Sequence, residues 1–305
     1  MNKIKLPVVM HPLNDDIVRL KKAGNITEIM CAEKTNTQCP ILRVNKDNYV
    51  DKRTGEVKNF NHIESRAEDK NSVRVSLTKL RDIINANITN PDYCRWVTLT
   101  YAENMTDDKR LYSDFKKFIM RMRSRNYIFE YIVAMEPQGR GAWHAHLLMI
   151  FDKKAPFIPN NQLEEIWGHG FVKIKALSDI DNIGVYLTAY LGDMELDEAI
   201  KNGLSVDKSS VKEVEVLDES GKKIAKSIVK GARLSLYPPK FHIFRKSRGI
   251  KLPDISYTSY SEAKNSVGDA TPTFEQSVII TDPQTGFNNQ IYTGYFNTNR
   301  INSQS

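Results

Sequence analysis

The sequence predicts an α+β fold in which helices pack on one face of an antiparallel sheet. Residues 96–101 show the β-branched and aromatic alternation of a strand, and residues 143–151 contain an apolar run of strand length. Residues 111–122 instead place apolar side chains at helical spacing, with lysines and arginines between them. These patterns lie within residues 91–255, where we expect the central domain.

The flanking regions carry less information. Residues 1–90 are expected to form a polar extension that ends in an amphipathic helix over residues 76–87. That helix either packs against the central domain or holds a basic face toward DNA. After residue 255, Ser, Thr, Asn and Gln dominate, so residues 256–305 are expected to form a polar C-terminal tail, with partial disorder as one expectation.

The central domain is expected to contain seven successive elements. They are a strand at 96–101, a helix that begins at 106–108, paired strands at 131–136 and 143–151, a short helix around 162–167, a strand at 171–175 and a helix over 180–194. The first six follow the split β-α-β order of ferredoxin-like and RNA-recognition folds, in which helices cover one sheet face and leave the other for a ligand. The seventh, a helix, would lie across that second face.

The chain then becomes polar and rich in lysine. Residues 196–235 are interpreted as an insertion that contains a hairpin, with strands at 211–217 and 222–230. Residues 237–251 are expected to form an edge strand that ends in a basic loop.

Charge and cysteine content narrow the classes of function. The chain of 305 residues has 44 lysines and arginines against 37 acidic residues, a net charge of +7, which favours a polyanionic partner. Cys31, Cys39 and Cys94 lack the close pairing of a zinc site, so we expect free thiols in a reducing cytoplasm. No leader or membrane-spanning run is evident in the sequence, and no membrane partner is expected.

A pair of histidines is the strongest chemical signal. His144 and His146 are separated by one residue on a predicted strand, so both imidazoles project from the same face. The turn at 137–141 would bring Glu136 opposite His144, and two imidazoles with a carboxylate can bind a divalent metal. A packed or surface pair of histidines is the alternative. His169 is another possible third ligand, although its flanking glycines favour a structural turn.

Three motifs in order resemble those of the HUH endonucleases that initiate rolling-circle replication. They are residues 97–101 with paired threonines, His144 and His146, and Tyr186 and Tyr190 four residues apart. More narrowly, residues 95–250 are similar to the replication-associated proteins grouped with filamentous-phage gene II protein. The resemblance implies metal-dependent nicking and joining of one DNA strand.

The resemblance also implies the role of each group. Mg²⁺ or Mn²⁺ held by His144, His146 and Glu136 would neutralise charge on the scissile phosphate. Tyr186 or Tyr190 would attack, which forms a 5′-phosphotyrosine and leaves a 3′ hydroxyl. Two tyrosines on one helical face would permit two successive transfers.

The expected ligand is single-stranded DNA or an extruded origin hairpin, bound mainly through its phosphates. Relatives often carry a lysine three residues after a tyrosine of the third motif, whereas this chain has Ala189 and Asp193 there. Phosphate contacts are therefore expected from basic residues elsewhere, namely Arg121, Arg123, Arg125, Lys173, Lys175, Arg245, Lys246, Arg248 and Lys251.

Two other functions are also compatible with the sequence. A relaxase or single-strand transposase would use the same chemistry. A ferredoxin-like nucleic-acid-binding protein without catalysis would use its histidines and tyrosines only to stack bases. The resemblance further implies a bacterial host cytoplasm and host helicase and polymerase as partners. The sequence predicts no oligomeric state.

Overall fold

The computed structural model describes residues 2–35, 39–61, 68–177, 184, 191–201, 203–204, 206, 210–217 and 223–300. The chain divides into two compact units: a terminal unit of residues 1–63 and 253–305, and a central unit of residues 64–252. The fold is α+β with antiparallel sheets, as the sequence predicts. No described helix combines the length and the hydropathy that crossing a bilayer requires.

The terminal unit is built from both ends of the chain. Its elements are β1 (Asn2–Lys5), β2 (Ile17–Ala23), β3 (Ile26–Ala32), β4 (Ile41–Arg43), β5 (Asn48–Asp51), β6 (Val57–Asn59), β15 (Asp254–Ser259), α5 (Tyr260–Val267), β16 (Pro272–Asp282) and β17 (Phe287–Asn297). A six-stranded sheet has the order β1-β16-β17-β3-β2-β15, and β4, β5 and β6 form a small separate sheet. Residues of α5 pack on the large sheet through the buried side chains of Ala263 and Val267.

The ordered C-terminal region differs from the expected polar tail. Residues 291–296 of β17 alternate in exposure: Tyr292, Gly294 and Phe296 are buried, while Ile291, Thr293 and Tyr295 are half-buried. One apolar residue in two is enough for a strand with one solvated face. Because Ser, Thr, Asn and Gln dominate the segment, composition concealed this alternation.

The central unit contains the predicted strands and the predicted helices before residue 180, together with an additional helix at residues 196–201. They are α1 (Lys70–Asn87), β7 (Cys94–Leu99), α2 (Asp108–Ser124), β8 (Glu130–Pro137), β9 (Trp143–Ile150), α3 (Asn160–Trp167), β10 (Val172–Ala176), β11 (Met194–Glu195), α4 (Leu196–Lys201), β12 (Val211–Leu217), β13 (Lys223–Val229) and β14 (Phe244–Lys246). The five-stranded sheet has the order β10-β7-β9-β8-β14. The first four strands have the arrangement of a ferredoxin-like sheet, in which β9 lies between the two strands that α2 connects.

Helices α2 and α3 cover one face of this sheet. The ring of Phe115 in α2 lies 5.4 Å from Tyr131, and Trp167 in α3 lies 5.1 Å from Tyr101. Tyr131 is paired with Met149, so it projects away from the side that carries His146. We call the side with α2 and α3 the helix face, and the side with His144 and His146 the histidine face.

Helix α1 belongs to the central unit, which therefore begins near residue 64 and not at residue 91. Asp69 caps the helix by accepting a hydrogen bond from the Ser72 amide, so α1 also begins six residues earlier than the pattern predicts. Leu80 and Ile84 lie on the histidine face, because they line a small apolar cavity that His146 also lines. One of the two expected roles of this helix, packing on the central domain, is confirmed.

The expected insertion has structure of its own. Strands β11, β13 and β12 form a three-stranded sheet, and the register of β12 with β13 confirms the predicted hairpin strands. The predicted turn at 218–221 and the first residue of the second predicted strand, residue 222, lie outside the described residues. Of the predicted helix over 180–194, residues 184 and 191–192 are described as helical, while Met194 already begins a strand.

Candidate active site

The pairing register of β7, β8 and β9 determines which side chains lie next to His144 and His146. His146 pairs with Thr98 on one side and with Ala134 on the other, and His144 pairs with Glu136. Cross-strand partners share a face, so these side chains line the histidine face together. The predicted hairpin and the predicted placement of Glu136 opposite His144 therefore agree with the structure.

The carboxylate of Glu136 reaches diagonally past its cross-strand partner. Its Oε2 atom lies 2.6 Å from Nε2 of His146, and the Glu136 side chain is 10% exposed. Nε2 of His146 nevertheless makes no hydrogen bond of acceptable angle, although it is buried. The two atoms are therefore in contact, but the ring and the carboxylate are not aligned as donor and acceptor.

The second nitrogen of His146 is also held. Its Nδ1 atom lies 3.4 Å from Oγ1 of Thr98, at the limit of hydrogen bonding. The ring of Trp96, two residues earlier on β7, is 6.1 Å from the imidazole. Contacts of this kind orient a histidine, and in metal sites they leave the other nitrogen available to the ion.

Electrostatics keep His144 neutral. Burial lowers its pKa to about 4, and the nearby charges of His146, Arg140 and Arg233 act in the same direction against the opposing effect of Glu136. A neutral imidazole has a free lone pair, which metal coordination requires.

Glu136, in contrast, stays ionised. Burial alone would raise the pKa of its carboxyl, but the charges of His146, Arg233 and His144 and the contact with His146 lower it overall. The site therefore offers a carboxylate beside the neutral imidazole of His144.

Imidazole nitrogens and a carboxylate are suitable ligands for a divalent cation, although the side chains do not form a complete coordination site. Among the described residues, no group of three or more His, Cys, Asp or Glu side chains has metal-binding geometry. The rings of His144 and His146 are 6.4 Å apart. However, two ligand atoms of an octahedral ion lie about 3 Å apart, close to the 2.6 Å between Glu136 and His146. Nε2 of His146 is buried and has no hydrogen bond, and this observation supports a metal ion as its partner.

Arg233 is a site residue that sequence reasoning missed. It lies in a short 3-10 turn before β14, and its Nη1 atom is 2.8 Å from Oε1 of Glu136. Both side chains are buried, at 9% and 10% exposure. Nothing in the local sequence marks Arg233 among the other basic residues, because its partner is 97 positions away; only the fold brings the two together.

His169 is not part of this site. Its Nε2 atom lies 3.6 Å from Asp114, and its ring packs on Tyr101 and Trp167. Tyr101 and Trp167 belong to the helix face, so the structure agrees with the structural interpretation of His169.

Two of the predicted DNA-binding residues lie on the histidine face. Lys173 pairs with Thr98, and Lys175 pairs with Trp96, so both project from the same side as His146. Both lysines are exposed on the edge strand β10. With strands about 4.8 Å apart, Lys173 lies about 10 Å from His146 across the sheet.

The three arginines of α2 lie elsewhere. Arg121 donates through Nη1 to the carbonyls of Ile166 and Trp167 and so caps the end of α3. Arg123 and Arg125 are exposed, and the guanidinium of Arg125 donates to the Arg121 carbonyl. Since α2 covers the helix face, the fold does not bring these arginines to the candidate site.

The basic segment around β14 is divided between the two faces. Arg245 pairs with Val133, and its guanidinium stacks on the ring of Tyr112 of α2, 3.6 Å from the centroid. Lys246 pairs with Ile132 and donates to the Ile250 carbonyl. The remaining two predicted contacts, Arg248 and Lys251, are exposed.

The candidate nucleophiles, Tyr186 and Tyr190, lie outside the described residues. Their described neighbours are informative. Leu191 follows Tyr190 directly in the sequence and lines the same small cavity as His146. The amide of Gly184 donates to Oδ1 of Asn85 in α1. The chain before these tyrosines is thus attached to α1, and the chain after them lines the cavity on the histidine face.

Comparison with known proteins gives a family match. Residues 94–195, about a third of the chain, match the family model of the replication-associated protein of the ORF2 and gene II protein type. The matched stretch begins with β7 and ends with β11, and it includes Glu136, both histidines and both tyrosine positions. No curated protein and no solved structure matches the chain. This part of the chain is similar to replication-associated proteins.

Proposed function

We propose that this protein initiates rolling-circle replication by nicking and rejoining one strand of DNA through a phosphotyrosine intermediate. The observation that carries the proposal is the contact between Glu136 and His146, buried on the sheet face to which the chain beside Tyr190 is attached. The match to replication-associated proteins over the same residues supports it independently.

The chain supplies the parts that the reaction needs. His144, His146 and Glu136 would hold Mg²⁺ or Mn²⁺, and that ion, when bound, supplies charge neutralisation at the non-bridging oxygens of the phosphate. Lys173 and Lys175 lie on the same face and would hold the phosphates that flank the cut. These side chains support the proposed binding and orientation of the strand.

In the transfer step, the phenol oxygen of Tyr186 or Tyr190 attacks phosphorus and loses its proton. The bond from phosphorus to the 3′ oxygen breaks, and that oxygen takes up a proton. The product is a 5′-phosphotyrosine and a free 3′ hydroxyl that can prime synthesis. The energy of the phosphodiester is kept in the new ester, so a 3′ hydroxyl can later reverse the step.

The test uses single-stranded oligonucleotides that tile the replicon, each labelled at the 5′ or the 3′ end. With Mn²⁺, we expect the 3′ label to migrate with the denatured protein and the 5′ label to leave as a shorter strand. Chelator, or the pair His144→Ala and His146→Ala, should abolish both products. The exposed Tyr93 lies outside the site, so Tyr93→Phe is the matched control and should keep the adduct.

Two results would contradict the proposal. An adduct that survives the double change Tyr186→Phe and Tyr190→Phe would show that the nucleophile is another residue. Binding of the oligonucleotides with no adduct under any metal would favour a nucleic-acid-binding protein without catalysis.

A further inference from the structure

The residues that follow β13 hold the end of the segment that contains Tyr186 and Tyr190. The amide of Gly231 donates to Oδ1 of Asp193 at 3.0 Å, and Nε of Arg233 donates to the Asp193 carbonyl at 3.1 Å. The hydroxyl of Tyr237 donates to the Leu191 carbonyl at 3.3 Å. Three hydrogen bonds from residues 231–237 therefore reach residues 191–193, directly after Tyr190.

The same arginine contacts the carboxylate of the candidate metal site. Nη1 of Arg233 lies 2.8 Å from Oε1 of Glu136 and 3.1 Å from the Pro137 carbonyl. Nη2 lies 3.3 Å from Glu198, whose other carboxylate oxygen accepts from the Gly139 amide at 3.0 Å. Arg233 thus connects β8 and the turn before the histidine strand with the chain beside Tyr190.

The burial of this arginine makes the arrangement specific. Its side chain is 9% exposed, and a buried guanidinium is tolerated only when its donors are satisfied. A planar fork is needed to serve two carboxylates and two carbonyls in different directions, which a lysine ammonium cannot do. Oε1 of Glu136 is occupied by Arg233, so Oε2 is left to face His146.

We propose that Arg233 is a positioning residue that keeps the Glu136 carboxylate and residues 191–193, which directly follow Tyr190, at a fixed distance from each other. This inference rests on the proposed function and adds to it a residue outside the three motifs. It also gives the polar insertion a purpose, because Glu198, Gly231 and Arg233 itself all lie within residues 196–235. The insertion is then part of the site and not a dispensable loop.

The variants Arg233→Ala and Arg233→Lys separate positioning from a general loss of structure. Misplacing reacting groups by about 1 Å can slow a reaction about 100-fold, so we expect adduct formation by Arg233→Ala to slow by about that factor. Loss of an outer-shell partner of a metal ligand weakens binding about 10- to 100-fold, so the affinity for Mn²⁺, measured by electron paramagnetic resonance without DNA, should fall by about that amount. Arg233→Lys should recover only part of either loss.

Added guanidinium ion provides a readout that a folding defect would not show. It fits the space left by Arg233→Ala, so adduct formation by this variant should increase with guanidinium concentration, whereas that of the wild type should not. Arg110 pairs with Glu103 and Asp114 on the helix face, so Arg110→Ala is the matched control and should stay within about twofold in both assays.

A second variant separates the contact with Glu136 from the contacts with residues 191–193. Tyr237→Phe removes the hydrogen bond to Leu191 but leaves the Glu136 pair intact, so adduct formation should slow about fivefold with unchanged Mn²⁺ affinity. If the wild type binds Mn²⁺ and forms the adduct while Arg233→Ala behaves like Arg110→Ala, the positioning role is overturned and the proposed function stands. If the wild type does neither, both proposals fail together.

Discussion

Glu136 contacts His146, ten residues away along a hairpin, although its cross-strand partner is His144. This diagonal contact of 2.6 Å requires the Glu136 side chain to lean along β9, and Arg233 on its other oxygen holds it in that direction. The Glu136 carboxylate thus lies between the guanidinium of Arg233 and the imidazole of His146.

Removing Glu136 should destabilise the fold. Glu136→Ala leaves the buried guanidinium of Arg233 without its nearest counter-charge, and loss of one partner from a buried ion pair costs about 3–5 kcal/mol in the free energy of unfolding. Urea denaturation measures the change. The control is Glu198→Ala, because its more exposed carboxylate also contacts Arg233 and should cost about 1 kcal/mol or less. Equal losses for the two variants would contradict the assignment.

Stability without metal should depend on pH through His144. Its pKa is about 4 in the folded protein against 6.5 ordinarily, so between these values the unfolded chain binds a proton that the folded chain lacks. The contribution to the free energy of unfolding is therefore complete above about pH 6.5 and decreases as pH falls toward 4.

The measurement is the urea midpoint between pH 4.5 and 7.5 in the presence of chelator. His144→Gln should show a weaker dependence on pH than the wild type, because the titrating group is gone. His242 is exposed and lies outside the site, so His242→Ala should follow the wild-type curve. A His144→Gln curve parallel to that of the wild type would disprove the effect.

Leu80 tests whether α1 is an integral part of the central unit. The side chain is 1% exposed and lines the cavity beneath His146, so Leu80→Ala should lower the free energy of unfolding by about 2–5 kcal/mol. Val75 on the same helix is 56% exposed, and Val75→Ala should change it by about 0.5 kcal/mol or less. A small effect at both positions would mean that α1 does not contribute to the core of the central unit.

The two faces of the sheet should differ in DNA binding. Lys173 projects from the histidine face, so Lys173→Gln should weaken binding of a single-stranded oligonucleotide and reduce the slope of log affinity against log salt by about 0.7. Arg123 is on α2, and Arg123→Gln should leave both unchanged. Fluorescence anisotropy at several salt concentrations checks this. The opposite ranking would place the DNA on the helix face.

Gly170 is required by a close approach of two backbones. It has φ +150°, and a Cβ atom there would lie 2.4 Å from the Ala102 nitrogen and 2.8 Å from the Thr100 carbonyl oxygen. Gly170→Ala should therefore lower the free energy of unfolding by about 2–4 kcal/mol, as measured by thermal melting. Gly203 also has a positive φ but nothing within 4 Å, so Gly203→Ala should cost about 1–2 kcal/mol. Equal effects would argue against steric contact at Gly170.

Local patterns predicted the central sheet well. The hairpin strands, α2 and α3 follow from alternation and helical spacing, and the placement of Glu136 opposite His144 follows from the turn between β8 and β9. These features depend on residues close in sequence. Such residues leave their signature in the periodicity itself.

Features that depend on distant residues could not be predicted in the same way. The Arg233 contact with Glu136 spans 97 positions, and a buried arginine looks in sequence like an exposed one. Arg121, by contrast, belongs to a basic helix pattern but serves as a helix cap. The pairing of β17 with β3 joins the two ends of the chain, and a polar composition hid it.

The pairing of β3 with β17 affects how the molecule is made. About 255 residues separate Ala32 from Phe287, so at about 5–20 residues per second a ribosome needs on the order of 10–50 s to supply the missing neighbour. During that time the hydrogen-bonding edge of β3 is open to other chains. Nascent protein should therefore depend on chaperones, and messages cut short before codon 287 should give aggregating products.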